Sequence, residues 1–412
     1  MSSTALQAYE DRYPVLPVAD AREIVGHHVP SVGTEIVDLE QIAGRILAAP
    51  IIAEEDVPSF PAATVDGYAI DASTRGTDFE VALELIAGED GTRRSVGPRG
   101  AARIMTGAPL PRGTNAVVMF EDADESAGRV RIRRTPREGE NVRAPGSDLA
   151  RGQEVLPAGS IVGPPEIGLL ASLGIARCRV GRRARVAILS TGDEIVSHRE
   201  NPGPGAIRDS NGPALVAAVE ESGGDAVILP RVGDDYARLR ETIERALGTH
   251  DVLITSGGVS VGTRDLIKPI LESLGTVHFG RIALRPGKPL TFATSGARLV
   301  FGLPGNPVSA LVTFEVFVRP VLRRMQGDRR PERPRVQVVT ASRLRPTPDR
   351  TEYQRASIRW EDGTLVARST GSQSSSRLLS MAGANGLLEI LPGGDPVDAG
   401  TRVPALITGA LA

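Results

Sequence analysis

The sequence predicts a multidomain α/β chain with β-rich domains on either side of a central parallel sheet, and three observations carry that reading. At 412 residues the chain exceeds one ordinary core, and length alone points to about two to four domains. From Arg182 to residue 327, apolar strand runs alternate with helical stretches, the pattern of a parallel sheet with crossover helices. Before and after that stretch, short alternating runs bounded by Gly, Pro and Asp read as β structure.

Taken in chain order, Pro17 to about Ala49 reads as helical. Pro and Asp open PVADAREIVGHHV, and Leu39, Ile42, Ile46 and Leu47 recur at helical spacing in VDLEQIAGRILAAPI. FEVALELIAG, NAVVMFED and GRVRIRR then read as strands, and a proline-punctuated turn leads into a short helix near Pro165 with Glu166 in its first turn. In the central stretch RVAILS, DAVILPRV, HDVLITS and RLVF are strands. NGPALVAAVEESGG, DYARLRETIERAL, DLIKPILESLG and the segment after LPGNP are helices. GDRRPERPRV reads as a linker, and VQVVTA, YQRASIRW, TLVARS and GLLEIL as strands of a small C-terminal β domain.

Composition removes several function classes. Hydrophobic residues are 41%, charged residues 24% and the net charge is −2, ordinary values for a soluble globular protein without the basic excess of a nucleic-acid binder. Aromatics, at 3%, are too few for a stacking platform. The single cysteine, Cys178 in apolar IARCRV, excludes an intramolecular disulfide or a multi-cysteine metal site and reads as a small buried hydrophobe. His27, His28, His198, His250 and His278 show no zinc-ligand spacing. The N-terminus lacks a basic segment followed by an apolar run, and every apolar run stops well short of about 18 residues, so the expectation is a cytoplasmic protein with no membrane span.

Ligands of open parallel sheets bind beyond the carboxyl ends of the strands, and three glycine-rich loops fall there. They are Ser190–Glu194 (STGDE), Ser256–Gly262 (SGGVSVG) and Gly302–Pro307 (GLPGNP). Glycine lets backbone N–H groups approach an anion, and a helix start adds free donors. One such turn merely reverses the chain; three on one sheet edge point to an anion site. Neither G-x-G-x-x-G nor G-x-x-x-x-G-K-[ST] occurs at these turns, which disfavours a dehydrogenase or a P-loop nucleotidase. Asp193, Glu194, Asp234, Asp235 and Asp265 flank the loops, and oxygen-only ligands beside a phosphate point to Mg2+. Asp265 is equally suited to cap the helix that follows it. The turn Arg285–Pro289 (RPGKP) presents two cations on a proline-fixed backbone suited to a small oxyanion.

STGDE, SGGVSVG-x-x-D, RPGKP and GLPGNPVSA, in this order, resemble the molybdopterin-binding domain of the molybdopterin molybdenumtransferases, the MoeA and gephyrin E-domain family. FPAATVDGYAI, IMTGAPLPRGTNAVVMFED, ENVRAPGSDLARG and SSSRLLSMAGANGLLEI resemble further segments of that family, so the likeness runs from about residue 15 to the end. The resemblance implies an elongated homodimer with its site shared between subunits. It also implies a MogA-like central domain at 182–327, an inserted β-rich domain at 51–139, a discontinuous linking domain at 15–50 and 140–181, and a small barrel-like domain at 328–412. The implied reaction inserts molybdate into adenylated molybdopterin, with Mg2+, and releases AMP.

Carried onto this sequence, the catalytic positions implied are Asp66, Thr106, Asp148, Glu194, Asp234, Asp265 and Lys288. Those implied to bind the cofactor are Arg143, Thr191, Gly192, Asp193, Ser256, Gly257, Gly258, Ser260, Gly262, Arg285, Pro304, Gly305, Asn306, Pro307, Ser309, Arg355 and Ser376. Asp193, Glu194 and Asp265 are the implied metal ligands, and Asp66 or Asp148 of a partner subunit would orient the attacking water. The sequence departs from the family at Arg285, where many members have lysine, and at Gln354, often histidine. A physical partnership with the molybdopterin adenylyltransferase is a further expectation. Two alternatives keep the central domain: an adenylyltransferase-type or CinA-like enzyme, disfavoured by the DGYA segment and the flanking arms, and a non-catalytic scaffold.

Overall fold

The computed structural model describes residues 12–257 and 266–411. The chain divides into two compact units, one of 49–158 with 163–177 and one of the remaining segments.

The smaller unit is built on a six-stranded sheet. Its strands are β1 (Gly67–Ile70), β2 (Asp78–Leu85), β3 (Gly100–Ile104), β4 (Ala116–Met119), β5 (Ala123–Ser126) and β6 (Arg129–Ile132), in the spatial order β4-β1-β3-β2-β6-β5. Both faces are packed. Along β1, Tyr68 and Ile70 enter one apolar cluster while Ala69 enters the other, the period of two that a pleated strand imposes. Gly67 opens β1 because a Cβ there would lie 1.9 Å from the Val118 carbonyl oxygen. β1 and β3 are absent from the sequence reading, since GYAI and GAARI are short and small-residue rich. The helix expected near Pro165 spans Pro164–Ser172, with the Gly163 N–H donating to Glu166 Oε2 at 2.9 Å.

The larger unit opens with α1 (Val18–His27), which buries Val18, Ala21 and Val25. The helical reading does not extend to residue 49. Thr34–Asp38 is a strand, and Ile46 and Leu47 form bridges to Ile161 and Val180. Gly33 and Gly44 sit at φ +84° and +74°, outside the helical region, and Ile46 and Leu47 are both buried, as consecutive residues of an extended segment covered on both faces can be.

The central sheet follows the predicted alternation: β7 (Arg185–Ser190), α2 (Asn211–Glu221), β8 (Asp225–Ile228), α3 (Tyr236–Thr249), β9 (Val252–Ser256), α4 (Ile267–Leu274), β10 (Thr276–Phe279), β11 (Thr291–Ser295) and β12 (Arg298–Leu303). The spatial order is β8-β7-β9-β12-β11-β10. The first four strands are parallel, while β11 and β10 add an antiparallel edge that the sequence reading lacks. A two-residue turn at Gly296-Ala297, with Gly296 at φ +56°, makes the β11–β12 hairpin. Alternate residues feed opposite layers. Val186 and Ile188 pack with α1 and α2, and Ala187 and Leu189 with α3 and α4. The predicted long last helix runs as α5 (Pro307–Thr313), a π-helical turn over Phe314–Val318, and α6 (Arg319–Met325). Pro320 lacks an N–H and crowds the carbonyl four residues back, which widens the helix there.

β13 (Arg335–Thr340), β14 (Thr351–Glu361), β15 (Thr364–Ser369), β16 (Gly386–Ile390) and β17 (Arg402–Ile407) form the C-terminal sheet. β14 pairs with both β15 and β16, closing the five strands into a small barrel without free edges. The short strand Leu284–Arg285 pairs with Thr351 and Glu352 and ties the RPGKP turn to this barrel. Cys178 is buried, and among the described residues no helix is long and apolar enough to cross a membrane.

Candidate functional site

The carboxyl ends of β7, β9 and β12 converge on a cavity of about 390 Å³. It is lined by Ser190, Thr191 and Glu194 from the first loop, Ser256 and Gly257 from the second, and Pro304, Gly305 and Asn306 from the third, with Asp209, Asn211 and Pro289. The loops are tied to one another. The Thr191 N–H donates to the Ser256 carbonyl at 3.0 Å, and the Gly257 N–H to that of Leu303 at 3.2 Å. Asn211 Nδ2 donates to Ser256 Oγ at 2.7 Å and to the Gly305 carbonyl at 2.8 Å, joining the second and third loops. Gly257 sits at φ +88°, and a Cβ would stand 2.7 Å from the Thr191 carbonyl oxygen, so glycine is required for this approach.

The carboxylates of this cavity are unequal. Asp209 is fully engaged, accepting from Ser190 Oγ at 2.6 Å and from the Gly212 N–H at 2.9 Å. Asp193 braces the loop by accepting the Asp234 N–H at 3.1 Å through Oδ1. Glu194 lines the cavity, and among the described residues its carboxylate has no hydrogen-bond or ion-pair partner. Among the described residues there is no cluster of three or more His, Cys, Asp or Glu able to hold a metal.

A second cavity of about 410 Å³ adjoins the first, sharing Pro289 and Asn306 with it. Arg285, Gly287 and Lys288 of the RPGKP turn line it, with Ser309 of α5, Arg350, and Gln373, Ser374 and Ser375 from the barrel. Its lining cations are Arg285, Lys288 and Arg350. Arg285 lies 3.7 Å from buried Glu352, and Arg350 pairs with Asp349. Arg355 is 1% exposed and stands behind the serine loop. Its Nε donates to Ser380 Oγ and its Nη2 to the Ser374 carbonyl, both at 3.2 Å. Burial pushes its guanidinium down to about 10, with Glu352 opposing and Arg285 reinforcing the shift, so it remains a cation at neutral pH. Ser376 is exposed and bonds Ser374 Oγ at 3.0 Å, while Ser374 and Ser375 face the cavity.

The smaller unit carries four more candidates in two pairs. Thr106 donates its N–H and hydroxyl to Asp66 Oδ1 at 2.7 and 2.8 Å, which holds the exposed Asp66 carboxyl below the usual carboxylate range. Arg143 Nε donates to Asp148 Oδ1 at 3.0 Å. Residues 57–64 bring the pairs to one region, because Ala62–Ala63 pairs with Val142–Arg143 and the Gly107 N–H donates to the Ala63 carbonyl.

Of the sequence candidates, Thr191, Glu194, Ser256, Gly257, Pro304, Gly305 and Asn306 share the first cavity, and Arg285, Lys288 and Ser309 the second. Gly258, Ser260, Gly262 and Asp265 lie outside the described residues. Sequence reasoning missed Asp209, Asn211, Arg350, Gln373, Ser374 and Ser375. The available signals were the polar RDSN run before α2 and the SQSSS run after β15.

Comparison with known proteins accounts for most of the chain. Residues 16–174 match the MoeA N-terminal region (domain I and II), 187–324 a probable molybdopterin binding domain, and 337–407 the MoeA C-terminal region (domain IV). The molybdopterin molybdenumtransferase of Nostoc sp. is 38% identical, covering 93% of this chain and 91% of its own. That of Bacillus subtilis is 36% identical over 93% and 92%. Gephyrin of Dictyostelium discoideum is 34% identical over 97% of this chain, which spans only 63% of gephyrin's length. Among solved structures, the molybdopterin biosynthesis MoeA protein of Pyrococcus horikoshii superposes with a TM-score of 0.84 at 32% identity, covering 96% of this chain and 100% of that one.

Proposed function

The chain belongs to the molybdopterin molybdenumtransferase family, and from that premise we propose that it inserts molybdate into adenylated molybdopterin, releasing AMP and forming the molybdenum cofactor. The observation that carries this reading is the pair of adjoining cavities with opposite character. The first offers hydroxyls, amides and glycine backbone suited to a nucleotide-linked pterin. The second offers Arg285, Lys288 and Arg350, suited to a tetrahedral dianion.

Division of labour follows from the linings. Lys288 and Arg285 hold the oxyanion with Ser309 or a serine of the barrel loop, and keep its molybdenum beside the shared wall. Asn211, Ser256 and the glycine loops hold the adenylated pterin, so that its dithiolene sulfurs displace oxo ligands at molybdenum while water cleaves AMP away. Mg2+ typically binds through one or two carboxylates plus substrate phosphates rather than an all-protein cage. The Glu194 carboxylate at the cavity wall, without a side-chain partner among the described residues, fits that donor set. With Asp193 and Asp265 as the further expected ligands, an ion held there would supply charge neutralisation of the pyrophosphate.

Also part of this proposal are cytoplasmic location, a physical partnership with the adenylyltransferase, the four-domain division at 51, 140, 182 and 328, and a homodimer. In the homodimer, Asp66, Thr106, Arg143 and Asp148 of one subunit complete the site of the other, with Asp66 or Asp148 orienting water. The test is reconstitution of a molybdenum-free apoenzyme by purified protein, adenylated molybdopterin, Mg2+ and molybdate. Molybdate-dependent recovery is expected. Consumption of ATP with free molybdopterin, without such recovery, would place the chain with the adenylyltransferases.

A further inference from the structure

The two cavities meet at one short loop, and its side-chain bonds run in both directions. On the first side, Asn211 Nδ2 holds the Gly305 carbonyl at 2.8 Å. On the second, Asn306 Nδ2 donates to Ser375 Oγ at 3.0 Å, and the Val308 N–H donates to the Ser375 carbonyl at 3.1 Å. Asn306 lines both cavities. The serine loop it grips has no regular secondary structure around Ser375 and extends from the barrel, whereas Asn306 belongs to the central domain. Its other restraints come from the barrel side, through Arg355 to the Ser374 carbonyl and Gln373 Nε2 to the Arg355 carbonyl at 3.1 Å.

We propose that Asn306 is a positioning residue that couples the two cavities, by holding the barrel's serine loop over the cation-rich cavity through Ser375. This rests on the functional reading above and extends it from two sites to one linked pair. A ligand in the first cavity packs against Gly305 and Asn306 and restricts the loop that carries them. The serine loop is restricted with it, so an oxyanion arriving second orders less of the wall that receives it. A ligand that lowers the ordering cost of a second site binds with positive cooperativity, and the coupling is reciprocal. Adenylate thereby favours oxyanion binding, and oxyanion favours adenylate. The Val308–Ser375 backbone bond holds the same loop, but Val308 lines neither cavity, whereas Asn306 lines both and is the contact through which a ligand acts on Ser375.

The experiment measures AMP affinity of the full chain by calorimetry, with and without saturating molybdate. The ratio of the two dissociation constants is the coupling factor. In the wild type it is expected to be about fivefold or more, the lower end of measured allosteric couplings. Asn306→Ala and Ser375→Ala should each bring the ratio to about one, whatever either does to the absolute affinity. Asn306→Ala/Ser375→Ala should lose nothing further, because both act through one bond. Ser375→Thr keeps the accepting hydroxyl and should restore the ratio, which a merely structural role would not predict. A wild-type ratio of one with both ligands bound overturns the coupling and leaves the functional reading standing. So does an unchanged ratio in Asn306→Ala. Failure of the wild type to bind either ligand overturns both.

Discussion

The two cavities are built from different materials. The first is assembled by backbone: three strand ends, glycines that admit close approach, and amide and hydroxyl groups bonded to one another, with Glu194 a lining carboxylate that has no partner among the described residues. The second is assembled by charge, from cations carried on a proline-fixed turn and on the barrel. A backbone-built wall selects shape and loses its geometry when a turn is disturbed. A charge-built wall selects valence and loses affinity when a cation is removed. Substitutions in the two should therefore fail in different ways.

The largest expected effect is Lys288→Ala. Removing one charge-assisted contact costs about 1.5–3 kcal/mol, so the KM for molybdate should rise roughly 10- to 150-fold, with AMP affinity nearly unchanged in equilibrium binding. Gly257→Ala comes next. It forces a Cβ to 2.7 Å from the Thr191 carbonyl oxygen at a left-handed φ. The strain, about 1–3 kcal/mol, should lower Tm and weaken AMP more than molybdate. Glu194→Gln should raise the Mg2+ concentration for half-maximal AMP release by about tenfold or more, the least that loss even of an outer-shell partner costs a metal site, and leave molybdate affinity alone. If Glu194→Gln and Lys288→Ala shift the same ligand, the division between the cavities fails.

The smallest effect lies in the other unit. The Thr106 N–H and hydroxyl hold the Asp66 carboxyl below the usual carboxylate range, so this contact stabilises the fold above the unfolded pKa and is lost as pH falls through the depressed folded one. Thr106→Ala should move the Asp66 titration upward in a carboxyl-resolved NMR experiment, with stability at neutral pH scarcely altered because the pair is solvent-exposed.

What the sequence revealed follows the range of the forces involved. The STGDE, SGG and LPGNP loops were legible because glycine and proline act on their own backbone, and the strand–helix alternation because burial repeats locally. The barrel was legible as strands, and its closure entered only through the family likeness, because β14 meets β16 and Leu284–Arg285 meets β14 across long stretches of chain. β17 was missed, with Pro404 interrupting a run that otherwise reads as a strand. Leu39, Ile42, Ile46 and Leu47 mimicked one helix because a single 3-10 turn at Leu39–Gln41 and an extended segment carrying Ile46 and Leu47 happen to place apolar residues at helical spacing. Asp209, Asn211 and Ser375 were missed for a related reason. Their importance lies in which loop they bond, and no local pattern records that.

In the proposed reaction AMP is cleaved from the adenylated pterin only as molybdate is inserted. That requirement is tested most directly by mixing purified protein, Mg2+ and adenylated molybdopterin, then following AMP as molybdate is added. One AMP per pterin, appearing only on addition of molybdate, is the predicted result. AMP released at the same rate without oxyanion, or none released with it, would contradict the account.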